Sequence, residues 1–134
     1  MIRIAVLGDI GSGKSYVAKQ FGYPVLNADV EVAKLYKKNR NKKFVILDIP
    51  LLIENKINKK NDILIFVEAK KKEISKRLKK RHNLNLKILK KLKKFQLPLE
   101  LKKKKADFII KNNFKNNSIK KNAKRVLGKI LLNA

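Results

Sequence analysis

The sequence contains no cysteine, no tryptophan and a single histidine. The first absence excludes a disulfide framework, thiolate metal sites and cysteine nucleophiles. A lone His82 excludes a multi-histidine metal site. Acidic residues are scarce, with 10 Asp+Glu against 36 Lys+Arg, a formal net charge of +26 over 134 residues. No apolar run approaches the ~20 residues of a membrane span. The apolar opening from Met1 breaks at Asp9, too soon for a signal peptide. The expectation is a soluble, cytoplasmic protein. Hydrophobic residues still make up 44% of the chain, too many for a disordered basic tail. The length suits one domain, residues 1–134, with a core of its own.

The charge has two readings. Lys and Arg release counterions from a phosphate backbone, so a basic chain raises nucleic acid at once. Against this, the basic residues are 31 Lys and only five Arg, accompanied by 14 Asn and 15 Ile. All three abundant types have adenine- and thymine-rich codons, so compositional drift produces the same pattern. The lysines are spread along the chain, whereas base-reading surfaces combine Arg with exposed aromatics. Drift is the preferred reading, and nucleic acid is not the expected partner.

Strands and helices alternate. Ile2 to Leu7 is a β-branched apolar run bounded by Gly8, a buried strand; Tyr23–Leu26, Phe44–Ile49, Ile63–Val67 and Phe108–Ile110 supply four more. Helices are expected over Lys14–Phe21, from Asp29 to about Lys38, over Lys70–Arg81 and Leu84–Phe95, in a short piece after Pro98, and at the C-terminus. There Ile119, Ala123, Val126, Leu127, Ile130 and Leu131 keep a clear helical period. Continuous apolar strands between helices predict a parallel sheet covered on both faces.

Gly8-Asp-Ile-Gly-Ser-Gly-Lys-Ser15 fits G-x-x-x-x-G-K-[ST] without a mismatch, between a buried strand and a helix. Glycines at these places let backbone N–H groups form a nest for phosphate oxygens, and the helix N-terminus adds partial positive charge. Lys14 reaches the β- and γ-phosphates, and the Ser15 hydroxyl is a Mg²⁺ ligand. Nucleoside triphosphate binding follows. The chain is short for motor or GTPase domains and carries no N-K-x-D, which favours a small-molecule kinase. Asp29, at the carboxyl edge of the sheet, suits either an acid–base role toward an attacking hydroxyl or a helix cap. Asp48 ends the third strand, where a Mg²⁺-shell acid belongs. Glu54 has a contact to the acceptor, to a basic neighbour, or to solvent open to it. Asp9 is a charge tolerated within the loop. Asp62, Glu68 and Glu73 read as solvated.

These residues resemble dephospho-CoA kinases, members of the nucleoside monophosphate kinase group. Ile4 to Ser15 resembles the family's opening strand and G-G-I-G-S-G-K-S loop, with Asp9 in place of the second glycine. Val25-Leu-Asn-Ala-Asp29 resembles V-I-D-A-D, with Asn27 for the first aspartate. Ile49-Pro-Leu-Leu-Ile-Glu54 carries P-L-L-x-E, Arg77-Leu-Lys-Lys-Arg81 carries R-x-x-x-R, and Gln96-Leu-Pro-Leu-Glu100 carries Q-x-x-x-E. Ala106-Asp-Phe-Ile-Ile-Lys-Asn112 carries A-D-x-x-I-x-N, with Phe114 where glycine is usual.

The resemblance implies an α/β, three-layer P-loop kinase fold with a five-stranded parallel sheet and a helical lid at about 77–105. It implies transfer of the ATP γ-phosphoryl to the 3′-hydroxyl of dephospho-CoA, the last step of coenzyme A synthesis, by a monomer using ATP and Mg²⁺. Asp29, Lys14 and Arg81 would be catalytic. Asp9, Ile10, Gly11, Ser12, Gly13, Lys14, Ser15 and Tyr16, with Arg77 and Asn112, would bind ATP. Ser15 and Asp48 would hold Mg²⁺, and Asp29, Leu52 and Glu54 would face the acceptor. One departure stands out. The family's long substrate-binding segment with its His-Pro pair is reduced here to Val30–Ile49, the shortening falling near 37–43. The competing expectation is a nucleotide- or nucleic-acid-binding module without kinase activity; a third is a shortened, non-functional paralogue.

Overall fold

The computed structural model describes residues 1–27, 34, 37–81 and 85–133. Their strands are β1 (Ile2–Gly8), β2 (Val25–Leu26), β3 (Phe44–Leu47), β4 (Ile63–Glu68) and β5 (Phe108–Lys111). The helices among them are α1 (Lys14–Gln20), α2 (Lys71–Lys79), α3 (Leu86–Phe95), α4 (Leu99–Lys105) and α5 (Asn116–Leu132). Most of the helix expected from Asp29 to Lys38 lies outside the described residues, as do Asp29 itself and His82.

The strands form one sheet in the order β2-β3-β1-β4-β5, every neighbouring pair parallel. Side chains of β1 alternate between its faces, as strand geometry requires. Ile4 and Val6 join α1 and α5 through Val17, Ala18, Ile119, Ala123, Val126 and Ile130. Ala5 and Leu7 face the other layer, with Leu26, Val45, Leu47, Leu52 and Ile53, where Leu97, Leu99 and Ala106 pack from the α4 side. Each fully buried Val, Leu or Ile among them contributes about 1.5–3 kcal/mol. The result is the three-layer parallel α/β architecture expected from the sequence. No helix of the described residues is long and apolar enough to cross a membrane.

Several expected details change. The second strand shortens to its last two residues, and the third ends at Leu47. Helix α3 starts at Leu86 because the Asn85 side chain caps it, accepting from the N–H groups of Lys87 and Ile88. Asp62 is not solvated: it is buried and pairs with buried Arg3 at 3.0 Å. Arg3 shares the β1 face of Ala5 and Leu7, so its charge enters the interlayer space and meets a carboxylate there. Glu68 is half-buried and accepts from Lys103 at 3.1 Å. Of the segment 77–105, α3 buries no residue, whereas Leu97, Leu99 and Lys102 are packed into the body of the protein.

The strand order reverses around β1: β2 and β3 lie on one side of it, β4 and β5 on the other. Open parallel sheets bind ligands at the carboxyl edge of such a switch point, and the loop leaving β1 lies there.

Candidate active site

Between β1 and α1 the chain turns through Gly11 and Gly13, both at φ +85°, a region open to glycine and costly for other residues. Space is limiting as well. A Cβ on Gly11 would stand 3.1 Å from Leu78 of α2, and one on Gly13 would stand 2.3 Å from Asn112 Nδ2. The loop is thus clasped by α2 on one side and by the end of β5 on the other. Asn112 forms the second clasp. It is buried at 4% exposure, donates Nδ2–H to the Ser12 carbonyl at 2.8 Å and accepts the Phe114 N–H at 2.9 Å. Its own N–H donates to the Glu68 carbonyl.

An open cleft of about 680 Å³ runs over the loop and is lined by Ile10, Gly11, Gly13, Lys14, Ser15, Tyr16, Asp48, Arg77 and Arg81. Nine residues singled out from sequence therefore share one surface. Ser15 Oγ donates to Asp48 Oδ2 at 2.6 Å, so the two proposed Mg²⁺ ligands meet across 33 residues of chain. Hard oxygen donors in this number suit Mg²⁺, which takes one or two protein oxygens together with phosphates. Lys14 Nζ rests on the Gly8 carbonyl at 3.0 Å. Burial and then the Lys102 ammonium push the Lys14 pKa below its ordinary value, while Asp48, Asp9 and Glu54 act the other way. Arg77 and Arg81 follow from α2, whose buried Ile74 and Leu78 hold it against the loop.

Other sequence-derived candidates lie off this cleft. Asp9 turns its carboxylate back onto the loop, accepting the Ile10 N–H at 2.8 Å, and Ser12 is fully buried behind it. Leu52 is 1% exposed, its side chain packed in the core under β3. Glu54 Oε2 pairs with Lys102 at 2.6 Å and accepts the Leu97 N–H at 3.0 Å. Burial alone would favour its acid form, but the Lys102 contact and the N–H donors outweigh this and hold its pKa below the ordinary value. Tyr16, by contrast, lines the cleft, and its hydroxyl donates to Asn116 Oδ1 of α5.

Three residues have contacts at the site that the reading of the sequence did not assign them. Gln96 donates to the Gly8 carbonyl at 3.4 Å. Lys102 is 5% exposed and sits within the site's electrostatics. Phe114 lies at φ +60°, which explains why glycine suits that position, and its ring carries the Arg77 guanidinium 4.2 Å above its centre. Gln96 had a signal in Q-x-x-x-E and Phe114 in its departure from the family glycine, and Lys102 had one in the pattern Leu99, Lys102, Ala106, one helix face with a lysine inside it.

A family model for dephospho-CoA kinase matches residues 30–118. The dephospho-CoA kinase of Rickettsia felis is 36% identical over 93 residues, covering 69% of this chain and 47% of that protein. That of Bartonella quintana is 40% identical over 73 residues, 54% of this chain and 37% of the relative. The chain spans about half the length, or less, of the curated relatives it matches. Among solved structures, a shikimate kinase from Acinetobacter baumannii in complex with shikimate superposes with a TM-score of 0.62 at 18% identity, over 99% of this chain and 94% of that one. A dephospho-CoA kinase from Campylobacter jejuni gives 0.54 at 19% identity, over 96% of each chain. At these identities the two structures speak for the fold alone.

Proposed function

The chain belongs to the dephospho-CoA kinase family, and from that premise we propose that it transfers the γ-phosphoryl group of ATP to the ribose 3′-hydroxyl of dephospho-CoA in the cytoplasm. The observation that carries this reading is the meeting of Ser15 and Asp48 at 2.6 Å beside Lys14, in a cleft that Arg77 and Arg81 also line. In the proposed mechanism the loop N–H groups and Lys14 bind the β- and γ-phosphates. The Ser15 and Asp48 oxygens hold Mg²⁺, which neutralises charge on those phosphates when bound. Arg77 and Arg81 neutralise the transferring group with charge-assisted hydrogen bonds. Asn112 serves ATP binding by fixing the Ser12 peptide. Asp29, carried over from the family motif, accepts the proton of the attacking hydroxyl. Glu54 and the backbone at Leu52 border the acceptor side.

The reduced Val30–Ile49 segment favours one competing reading, nucleotide binding without transfer, because little chain remains there to hold the acceptor. ATP turnover measured with and without dephospho-CoA separates the two. Turnover that rises with dephospho-CoA, and is lost in Asp29→Asn with ATP binding retained, supports the kinase. ATP consumption indifferent to dephospho-CoA overturns it.

A further inference from the structure

We propose that helix α3 is a surface anchor: its exposed side, two apolar side chains set beside lysines, docks on a lipid bilayer that carries anionic headgroups. The proposal does not depend on the kinase reading and concerns the side of α3 turned away from the cleft.

Helix α3 runs from Leu86 to Phe95 with five lysines, five apolar residues and no acid, and it buries none of them. Leu89 and Leu92 are half-buried, and Leu92 lines the cleft, so this edge of the helix faces the protein. Three apolar side chains do not share that cover: Leu86 is 64% exposed, Ile88 55% and Phe95 67%. Ile88 and Phe95 are seven residues apart and project side by side. Lys91 stands next to them, three residues after the first and four before the second. Lys87 and Lys94 fall on the same side as Lys91, at the helical spacings of four and three; all three lysines are exposed. Around the helix, then, come an edge against the protein, an apolar rim open to water, and an arc of lysines beyond it.

Compositional drift accounts for the number of lysines, but not for an isoleucine and a phenylalanine held in water beside them. An exposed apolar patch rimmed by charge marks a surface that another body covers. Charge complementarity identifies that body. Between Glu73 and Glu100 the sequence has ten Lys and Arg and no acid, and among the described residues no α3 lysine pairs with a carboxylate. The partner is therefore anionic. Nucleic acid is met by Arg and stacking rings, whereas this side combines Lys with mostly aliphatic carbon. A groove on an acidic protein takes the middle of a helix's apolar stripe; here that middle, Leu89 and Leu92, already faces the protein, and only the rim is open. A bilayer fits the rim. Ile88 and Phe95 enter at headgroup level, the lysine stems lie along the acyl boundary, and their ammonium groups reach the lipid phosphates. Each lysine near an anionic leaflet strengthens attachment about fivefold. The helix lies on the membrane and spans nothing.

The test is cosedimentation of the full chain with vesicles of phosphatidylglycerol and phosphatidylcholine, against vesicles of phosphatidylcholine alone. Binding is expected to the first and not to the second. The chain has no tryptophan, so Ile88→Trp installs a single reporter, and its emission should move to the blue on anionic vesicles. Lys87→Gln, Lys91→Gln and Lys94→Gln together should weaken partitioning about a hundredfold. Ile88→Ser with Phe95→Ser should weaken it about tenfold or more. These side chains are exposed, so the melting temperature should hold in each variant. Lys120→Gln, Lys121→Gln and Lys124→Gln remove the same charge from exposed positions on α5 and should weaken binding by less than about fivefold, since salt screens charges held away from the contact. An α5 variant that loses as much as the α3 variant shows diffuse attraction and overturns the proposal. So does an Ile88→Trp emission that anionic vesicles leave unmoved. Absence of vesicle binding overturns it too, and binding of a single-stranded RNA oligonucleotide in its place, lost with the α3 lysines, would assign this face to nucleic acid.

Discussion

Asn112→Ala isolates the brace under the phosphate loop. The side chain is buried, and both ends of its amide are used: Nδ2 on the Ser12 carbonyl at 2.8 Å, Oδ1 on the Phe114 N–H at 2.9 Å. Alanine keeps the backbone bond to the Glu68 carbonyl and removes the other two. Each lost bond costs about 1 kcal/mol, and a partner left dry costs about 1–3 kcal/mol. The Ser12 carbonyl is the dry one, since Ser12 is fully buried; the expected loss is about 2–4 kcal/mol. At roughly 4 °C per kcal/mol for a chain of this size, the melting temperature falls by about 10 °C. The Ser12 peptide is also part of the phosphate nest, so ATP affinity falls by about tenfold or more as preorganisation is lost. Asn112→Asp sharpens the case. It retains the acceptor for Phe114 and sets an anionic oxygen against the Ser12 carbonyl. Its stability should recover as pH falls, because the protonated acid regains a donor. Differential scanning calorimetry on the ligand-free chain checks both variants. A loss under about 1 kcal/mol for Asn112→Ala would refute the brace and leave Gly13 crowded by a side chain with no structural role.

Lys14→Met should abolish ATP binding and yet stabilise the ligand-free chain. Burial and Lys102 lower the folded-state pKa of Lys14, so folding works against that ammonium at all pH values below the lowered pKa, and the opposition vanishes above the unfolded pKa; urea titrations should show the variant's advantage at neutral pH shrinking in alkali. Asp62→Ala breaks the buried pair with Arg3 and should cost about 3 kcal/mol in chemical denaturation; a cost near zero would mean that the pair is a surface one in solution. Asp9→Asn keeps an acceptor for the Ile10 N–H while removing a negative charge beside the phosphates, so ATP should bind several-fold, roughly 3- to 10-fold, more tightly by calorimetry.

The phosphate loop was legible because its chemistry demands particular letters: glycine where a Cβ would meet Asn112 or Leu78, lysine and serine where phosphate and metal are proposed to be held. The sheet was legible because strands buried on both faces leave continuous apolar runs. Asp48 was expected at the carboxyl end of the third strand, and it lies one residue past β3, where it meets Ser15. Phe114 could be flagged against a family glycine, and its φ of +60° gives the physical reason for the flag. Buried charge was harder to read. Among 31 lysines, Lys102 carries the same letter as its three neighbours, and only the helical spacing from Leu99 to Ala106 separates a core-facing lysine from solvated ones. Arg3 gave the equivalent sign in a strand, a cation on the alternating face of Ala5 and Leu7. A charge placed on a buried face must find a counter-charge, and with only 10 acids in the chain the choice is narrow. Asp62 and Glu54 are the acids that answer Arg3 and Lys102. In a chain enriched in lysine, then, the acids mark which cations are structural: a lysine whose partner is a buried acid, as Lys102 with Glu54, is held in place by it.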